Sequence, residues 1–135
     1  MNTISNKGAK HMNIYICDDS MQEAQIIQEE VKKFSLFSDN EVTIKDIVLT
    51  PEKLLTLFRK EPSGLNIFIL DIDFHNSTMN GLMLAQKIKE IDLHAYIIFV
   101  TSHAELSFLT FEYRIGAIDY IIKDTHEGWS LKIID

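Results

Sequence analysis

The feature that most constrains the fold is a succession of short apolar runs that are separated by amphipathic segments. The runs are rich in β-branched and aromatic residues and therefore predict strands at 14–17, 42–49, 67–70, 96–100 and 118–122. Several of them are apolar without alternation, which is typical of parallel strands that are covered on both faces. The sequence therefore predicts an α/β domain built on a parallel sheet.

Helix signals fill the intervals between these strands. Ser20 opens a capping box, Thr50 precedes a first-turn proline, and Asn80 opens a third amphipathic segment. A short helix is predicted around 105–113 and the start of a last one over 129–134. Five strand–helix units predict a doubly wound sheet with helices on both faces, whose working site lies beyond the carboxyl ends of the strands.

Size and composition limit the classes of protein that need considering. The chain has 135 residues, enough for one domain, and its net charge of -7 argues against direct binding to nucleic acid. No apolar run is long enough to cross a membrane, and a single cysteine favours a reducing cytoplasm. Cys17 lies on an apolar strand and is predicted to be a buried thiol of low reactivity. Residues 1–11 are polar and predict a vector leader or a disordered tail, with the domain spanning 12–135.

Charged and hydroxyl residues follow four of the predicted strands. They are Asp18 and Asp19 after the first, Asp71 and nearby Asp73 after the third, Thr101 after the fourth, and Lys123 after the fifth. Two carboxylates about 4 Å apart repel by about 4 kcal/mol at an effective dielectric near 20, so such a cluster calls for a cation. Oxygen ligands suit Mg²⁺. A metal ion beside a lysine and a hydroxyl would stabilise a phosphoryl group, and a central carboxylate could accept it as an acyl phosphate.

The order Asp-Asp, Asp, Thr and Tyr-x-x-Lys, each at a strand end, resembles the receiver domain of two-component response regulators from Met12 onward. The segments 68–73, 98–106, 109–111 and 119–124 are more narrowly similar to the AgrA/ComE branch of that family. This resemblance implies a flavodoxin-like five-stranded sheet with strand order 2-1-3-4-5. Members of the branch answer peptide pheromones in quorum sensing and carry a LytTR-type DNA-binding domain after the receiver. The resemblance therefore implies that such a domain is missing from this chain.

The resemblance also assigns the acidic residues. Asp71 would be the phosphoacceptor. Asp19 would bind Mg²⁺ directly, Asp18 would act largely through water, and the backbone carbonyl of Asp73 would be a further ligand.

The remaining family positions would form the switch. Thr101 would move toward the phosphoryl group, Tyr120 would change rotamer with it, and Lys123 would bind a phosphoryl oxygen. Two departures from most receivers are shared with the AgrA/ComE branch. Asp124 replaces the usual proline after the lysine, and the loop after Asp71 is about two residues longer.

The implied function is a phosphorylation-controlled module of a transcription regulator rather than an enzyme with turnover. A sensor histidine kinase would phosphorylate Asp71, and the face formed by the fourth helix, fifth strand and fifth helix would then dimerise. DNA would be bound only by the attached domain.

Two alternatives belong to other classes. Asp71-Ile72-Asp73 also resembles the nucleophile motif of haloacid-dehalogenase-type phosphatases, although there the motif lies on the first strand and the metal-binding Asp pair comes late. A flavodoxin-like electron carrier is disfavoured, because no Ser/Thr/Gly phosphate loop follows the first strand.

Overall fold

The structure is a computed structural model that describes residues 11–60, 64–101 and 118–122. The strands are β1 (His11–Cys17), β2 (Glu41–Val48), β3 (Leu65–Leu70), β4 (Tyr96–Thr101) and β5 (Ile118–Ile122). The helices of the described part are α1 (Met21–Phe37), α2 (Pro51–Leu57) and α3 (Gly81–Ile91). The strands pair in parallel in the order β2-β1-β3-β4-β5. The prediction of a parallel α/β sheet is confirmed, while the helices expected at 105–113 and 129–134 lie outside the described residues.

The first and third strands begin earlier than the apolar runs predicted. β1 begins at His11, which the sequence had assigned to the leader, and the Nδ1 atom of His11 lies 2.8 Å from a carboxylate oxygen of Glu41. β3 begins at Leu65. Hydrophobic patterning missed both extensions because they contain a polar pair, Asn13 opposite Asn66, which is buried inside the sheet.

Each described helix begins at the carboxyl edge of the sheet with the predicted N-cap. The side chains of Ser20, Thr50 and Asn80 accept hydrogen bonds from the backbone three residues on, at 3.2, 3.1 and 2.8 Å respectively. These caps satisfy amides that a helix start leaves unpaired. They hold the β1–α1, β2–α2 and β3–α3 connections at one edge of the sheet.

The sheet has a separate apolar core on each face. On one face α1 packs through Ala24, Ile27 and Val31. On the other, α2 and α3 pack over a cluster that includes Cys17 and the aromatic residues of β1 and β3. Both faces of the central strands are therefore buried, and the strand ends that carry the acidic residues extend from a sheet that is packed on both sides.

A buried polar network lies at the opposite, amino-terminal edge of the sheet. The Nδ2 atom of Asn13 donates to Asn66 at 3.2 Å, and Nδ2 of Asn66 donates to a carboxylate oxygen of Asp92 at 2.8 Å. The other oxygen of Asp92 accepts the amide of His94 at 3.1 Å. These contacts pair polar groups that would otherwise be costly to bury.

No helix in the described ranges is long and apolar enough to cross a membrane.

Candidate metal centre at the carboxyl edge of the sheet

The parallel register of β1 and β3 places Asp18 and Asp71 side by side. Cys17 is opposite Leu70 in the ladder, so each aspartate follows a paired residue. The ladder continues one step further, because the amide of Asp71 donates to the carbonyl of Cys17 at 3.1 Å. The amide of Asp18 donates to the carbonyl of Val48 in the same way, at 3.1 Å. The two carboxylates are therefore positioned by sheet hydrogen bonds rather than by a free loop.

Three carboxylates meet at this edge. One carboxylate oxygen from each of Asp18, Asp19 and Asp71 lies within 4.8 Å of the other two. Asp18 is fully buried, Asp71 is 8% exposed and Asp19 is half-buried. Oxygen donors this close together, partly shielded from water, form a suitable ligand set for a hard divalent cation. The predicted convergence of these three residues is confirmed.

Backbone amides orient two of the carboxylates. The Oδ1 atom of Asp18 accepts the amide of Ser20 at 2.9 Å. The Oδ1 atom of Asp71 accepts the amide of Ile72 at 2.7 Å and lies 3.4 Å from the amide nitrogen of Asp73. Hydrogen bonds from amides to a charged oxygen are strong, so these carboxylates keep a defined orientation.

The third carboxylate is oriented by the β3–α3 loop, residues 71–80. The amide of His75 donates to Oδ2 of Asp19 at 2.8 Å, across 56 positions of sequence. The imidazole of His75 is exposed, and its Nε2 atom lies 3.8 Å from a carboxylate oxygen of Asp73. The side chain of Asp73 thus faces His75, and its role as a carbonyl ligand stays a prediction.

Cys17, the last residue of β1, precedes Asp18, and the pKa of its thiol is affected by burial and by the three carboxylates. Burial, and after it the negative charges of Asp18, Asp71 and Asp19, hold the pKa of the Cys17 thiol well above its ordinary value. The thiol is fully buried. The prediction of a buried Cys17 is confirmed, and its raised pKa agrees with low reactivity.

The start of α3 is packed directly against the candidate phosphoacceptor. The amide of Gly81 donates to the carbonyl of Ile72 at 2.7 Å. A Cβ atom at position 81 would overlap the carbonyl oxygen of Asp71 and would lie 2.7 Å from the Cα atom of Ile72. Sequence reasoning did not identify this role for Gly81, because a glycine beside an N-cap gives no sign of close approach.

The switch residues are described only in part. Thr101 ends β4, where its backbone pairs with Ile122, and Tyr120 pairs with Phe99. Lys123 lies outside the described residues, as do the side chains of Thr101 and Tyr120, so their assigned roles stay predictions. The register does place the end of β4 beside the candidate site, because Phe99 of β4 pairs with Leu70.

Sequence reasoning also missed the residues that anchor the β3–α3 loop. The Oγ atom of Ser77 donates to a carboxylate oxygen of Glu52 at 2.6 Å, and Nδ2 of Asn76 donates to the carbonyl of Leu49 at 3.2 Å. No local pattern marks these contacts, since they join segments more than 20 residues apart.

The sequence matches proteins that belong to one family. The family model of the response regulator receiver domain matches residues 14–134. Accessory gene regulator protein A of Staphylococcus epidermidis is 32% identical over 124 residues, which is 92% of this chain and 51% of that protein. The Staphylococcus aureus protein of the same name gives the same identity and coverage. The chain therefore spans about half the length of the curated relatives it matches.

Solved structures show the same fold. The response regulator TrrA of Thermotoga maritima, solved in complex with Mg²⁺ and a beryllium fluoride, superimposes with a TM-score of 0.63 at 23% identity, over 85% of this chain and 89% of that one. A receiver domain protein of Clostridium thermocellum superimposes with a TM-score of 0.65 at 22% identity, over 84% and 83% of the two chains.

The fold and site define a parallel α/β domain with a carboxylate pocket at the carboxyl edge of its sheet. The chain belongs to the response regulator receiver domain family, and it is similar to the accessory gene regulator branch, as its motifs predicted. A receiver is a module of two-component signalling and not a conventional enzyme.

Proposed function

We propose that this receiver binds Mg²⁺ through Asp18, Asp19 and Asp71 and accepts a phosphoryl group on Asp71. The observation that carries the proposal is the approach of the three carboxylates to within 4.8 Å of one another. The donor set fits the ion, because all three donors are carboxylate oxygens held at the end of a buried sheet. We assign the backbone carbonyl of Asp73 as a further ligand on the strength of the motif.

Asp71 is the central residue of this mechanism. Its carboxylate oxygen attacks the phosphorus of the donor, the donor's bond to that phosphorus breaks, and an acyl phosphate remains. The amides of Ile72 and Asp73 hold the carboxylate in place for that attack. When bound, Mg²⁺ would offset the charge that accumulates on the phosphoryl oxygens.

The outcome of phosphorylation is a change of conformation. Thr101 binds the phosphoryl group, Tyr120 follows it, and Lys123 pairs with one of its oxygens. The support for these three assignments is their order in the family motif. The response then spreads to the face of the fourth helix, fifth strand and fifth helix, which becomes competent for dimerisation.

The partners follow from the same assignment. The phosphoryl donor is a sensor histidine kinase, and the similarity to accessory gene regulator proteins favours one that detects a peptide pheromone. The net charge of -7 supports a module that leaves DNA contacts to another domain, here of LytTR type and C-terminal to residues 12–135. Such signalling takes place in the cytoplasm.

The test is phosphorylation by acetyl phosphate with Mg²⁺, followed by intact-mass measurement. The chain should gain one phosphoryl group, and Asp71→Asn should abolish the gain. Asp73→Asn is the matched control, because it removes a neighbouring carboxylate and keeps the backbone carbonyl, so it should still be phosphorylated. Full labelling of the Asp71→Asn variant would disprove the assignment.

The same two variants address the phosphatase alternative. A haloacid-dehalogenase-like mechanism requires Asp73 as a general acid/base and gives sustained turnover. We expect no sustained hydrolysis of p-nitrophenyl phosphate with Mg²⁺. Turnover that is lost in Asp73→Asn would favour the phosphatase.

A further inference from the structure

Two adjacent residues of the β3–α3 loop attach it to the start of α2 and to the β2–α2 connection that precedes it. Ser77 donates to the Glu52 carboxylate at 2.6 Å, and Asn76 donates to the carbonyl of Leu49 at 3.2 Å. The Ser77 hydroxyl also accepts the amide of Met79 at 3.0 Å. One serine therefore joins α2 to the loop and stabilises the turn inside it.

The anchored segment is the one that holds the metal-binding carboxylate. His75 lies one residue before Asn76, and its amide makes the 2.8 Å hydrogen bond to Oδ2 of Asp19. Asp19 itself is on the β1–α1 connection, so its orientation depends on a loop from elsewhere in the chain. Fixing Oδ2 also fixes the direction of the second oxygen of the same carboxylate.

We infer that Ser77 and Glu52 are positioning residues that set the affinity of the acidic pocket for Mg²⁺ through the His75–Asp19 hydrogen bond. This inference rests on the proposed metal site. Glu52 is well suited to the role, because the hydrogen bond from Ser77, and then one within its own residue, lowers the pKa of Glu52. A glutamate carboxylate, whose ordinary pKa is about 4.3, is ionised at neutral pH, so Glu52 accepts a charge-assisted hydrogen bond from Ser77.

Calorimetric Mg²⁺ titration of the whole chain tests the affinity. Ser77→Ala should weaken binding by about two- to tenfold, the range expected for losing one hydrogen bond at the surface. Ser77→Thr retains a hydroxyl and should restore most of the affinity. Ser35→Ala is the matched control, because it removes an exposed hydroxyl that donates to the carbonyl of Lys32, far along α1 from the site.

A double-mutant cycle separates the contact from simple charge effects. If Glu52 acts through Ser77, the double variant of Glu52→Ala and Ser77→Ala should bind Mg²⁺ about as weakly as either single variant. Glu29→Ala removes an exposed acidic side chain on α1 and controls for the loss of one negative charge. Additive losses in the cycle would overturn the inference.

A measurement without metal gives an independent readout. In the metal-free protein the His75 amide should exchange its hydrogen faster in Ser77→Ala than in the parent chain, while the urea midpoint changes little. Equal exchange rates and equal Mg²⁺ affinity would overturn the inference. If instead Asp19→Asn leaves Mg²⁺ binding intact, or the parent chain binds none, the proposed metal site itself is wrong.

Discussion

Gly81 lies against the backbone of Asp71, so closely that any side chain at position 81 would overlap the carbonyl oxygen of Asp71. The first turn of α3 is thereby in direct contact with the residue proposed to accept phosphate. A side chain at position 81 should displace Asp71 itself, because the atom that it would overlap is the backbone carbonyl oxygen of Asp71, which cannot move away by changing rotamer.

Gly81→Ala should therefore lower both stability and Mg²⁺ affinity. Overpacking of this kind costs about 1–3 kcal/mol, and the displaced Asp71 would no longer meet the metal in the same geometry. Urea unfolding and Mg²⁺ titration measure the two effects. Gly64→Ala is the control, since Gly64 has a φ of 90° and a Cβ there would lie 2.6 Å from the carbonyl oxygen of His11, at the opposite edge of the sheet. It should destabilise the fold and leave Mg²⁺ affinity unchanged.

Asp19→Asn should raise the stability of the metal-free protein and should reduce the stabilisation that Mg²⁺ provides. Removing one of three clustered negative charges relieves repulsion, which for two charges about 4 Å apart ranges from about 1 kcal/mol in water to about 4 kcal/mol at an effective dielectric of 20. The metal-free variant should therefore be more resistant to urea than the parent chain, and EDTA should not change that result. Saturating Mg²⁺ should stabilise the parent chain more than the variant. A variant that is less stable without metal would contradict the proposed repulsion.

Cys17 should make stability depend on alkaline pH. The pKa of its thiol is raised by burial and by the neighbouring aspartates, so the folded state keeps the proton when the unfolded state loses it. The contribution is fully present below about pH 8.5, the ordinary thiol pKa. Above that pH the free energy of unfolding should fall by about 1.4 kcal/mol per pH unit from this group. Urea unfolding can be measured from about pH 7 to about pH 10, which brackets the ordinary thiol pKa of about 8.5. The free energy of unfolding should fall with this slope in the parent chain and less steeply in Cys17→Ala.

Asp92→Ala should destabilise the fold without affecting the metal site. Asp92 is buried and accepts from Asn66 and from the amide of His94, at the edge of the sheet opposite the acidic pocket. Leaving these donors unpaired should cost about 1–3 kcal/mol. The matched comparison is Lys60→Ala, because Lys60 is largely exposed and its Nζ atom lies 3.9 Å from Asp92. That variant should lose no more than about 1 kcal/mol, and both should bind Mg²⁺ like the parent chain.

The strand ends and helix starts could be predicted from sequence because their signals are local. Apolar runs predicted the strands, and Ser20, Thr50 and Asn80 predicted the helix starts that the structure confirms. Parallel strands all end at the same edge, and the strand order that the family resemblance implied puts β1 beside β3, so the convergence of Asp18, Asp19 and Asp71 was expected.

Contacts between loops could not be predicted in this way. The hydrogen bond of Ser77 to Glu52 depends on how two connections lie over the sheet, and neither residue belongs to a pattern. The buried pair of Asn13 and Asn66 was missed for a different reason. A polar residue lowers the hydrophobic signal of a strand, although here each amide supplies the partner that makes burial of the other acceptable.

Strand β2 is the outermost strand on its side of the described sheet, with β1 as its only described neighbour. Its outer rim could template the addition of a strand from another molecule, which is the usual route to edge-to-edge aggregation. Glu41 and Lys45 are exposed on this strand, and charged side chains on an edge disfavour such pairing. These two charges should therefore oppose strand pairing through this rim, and substitutions that neutralise both should increase precipitation at high protein concentration.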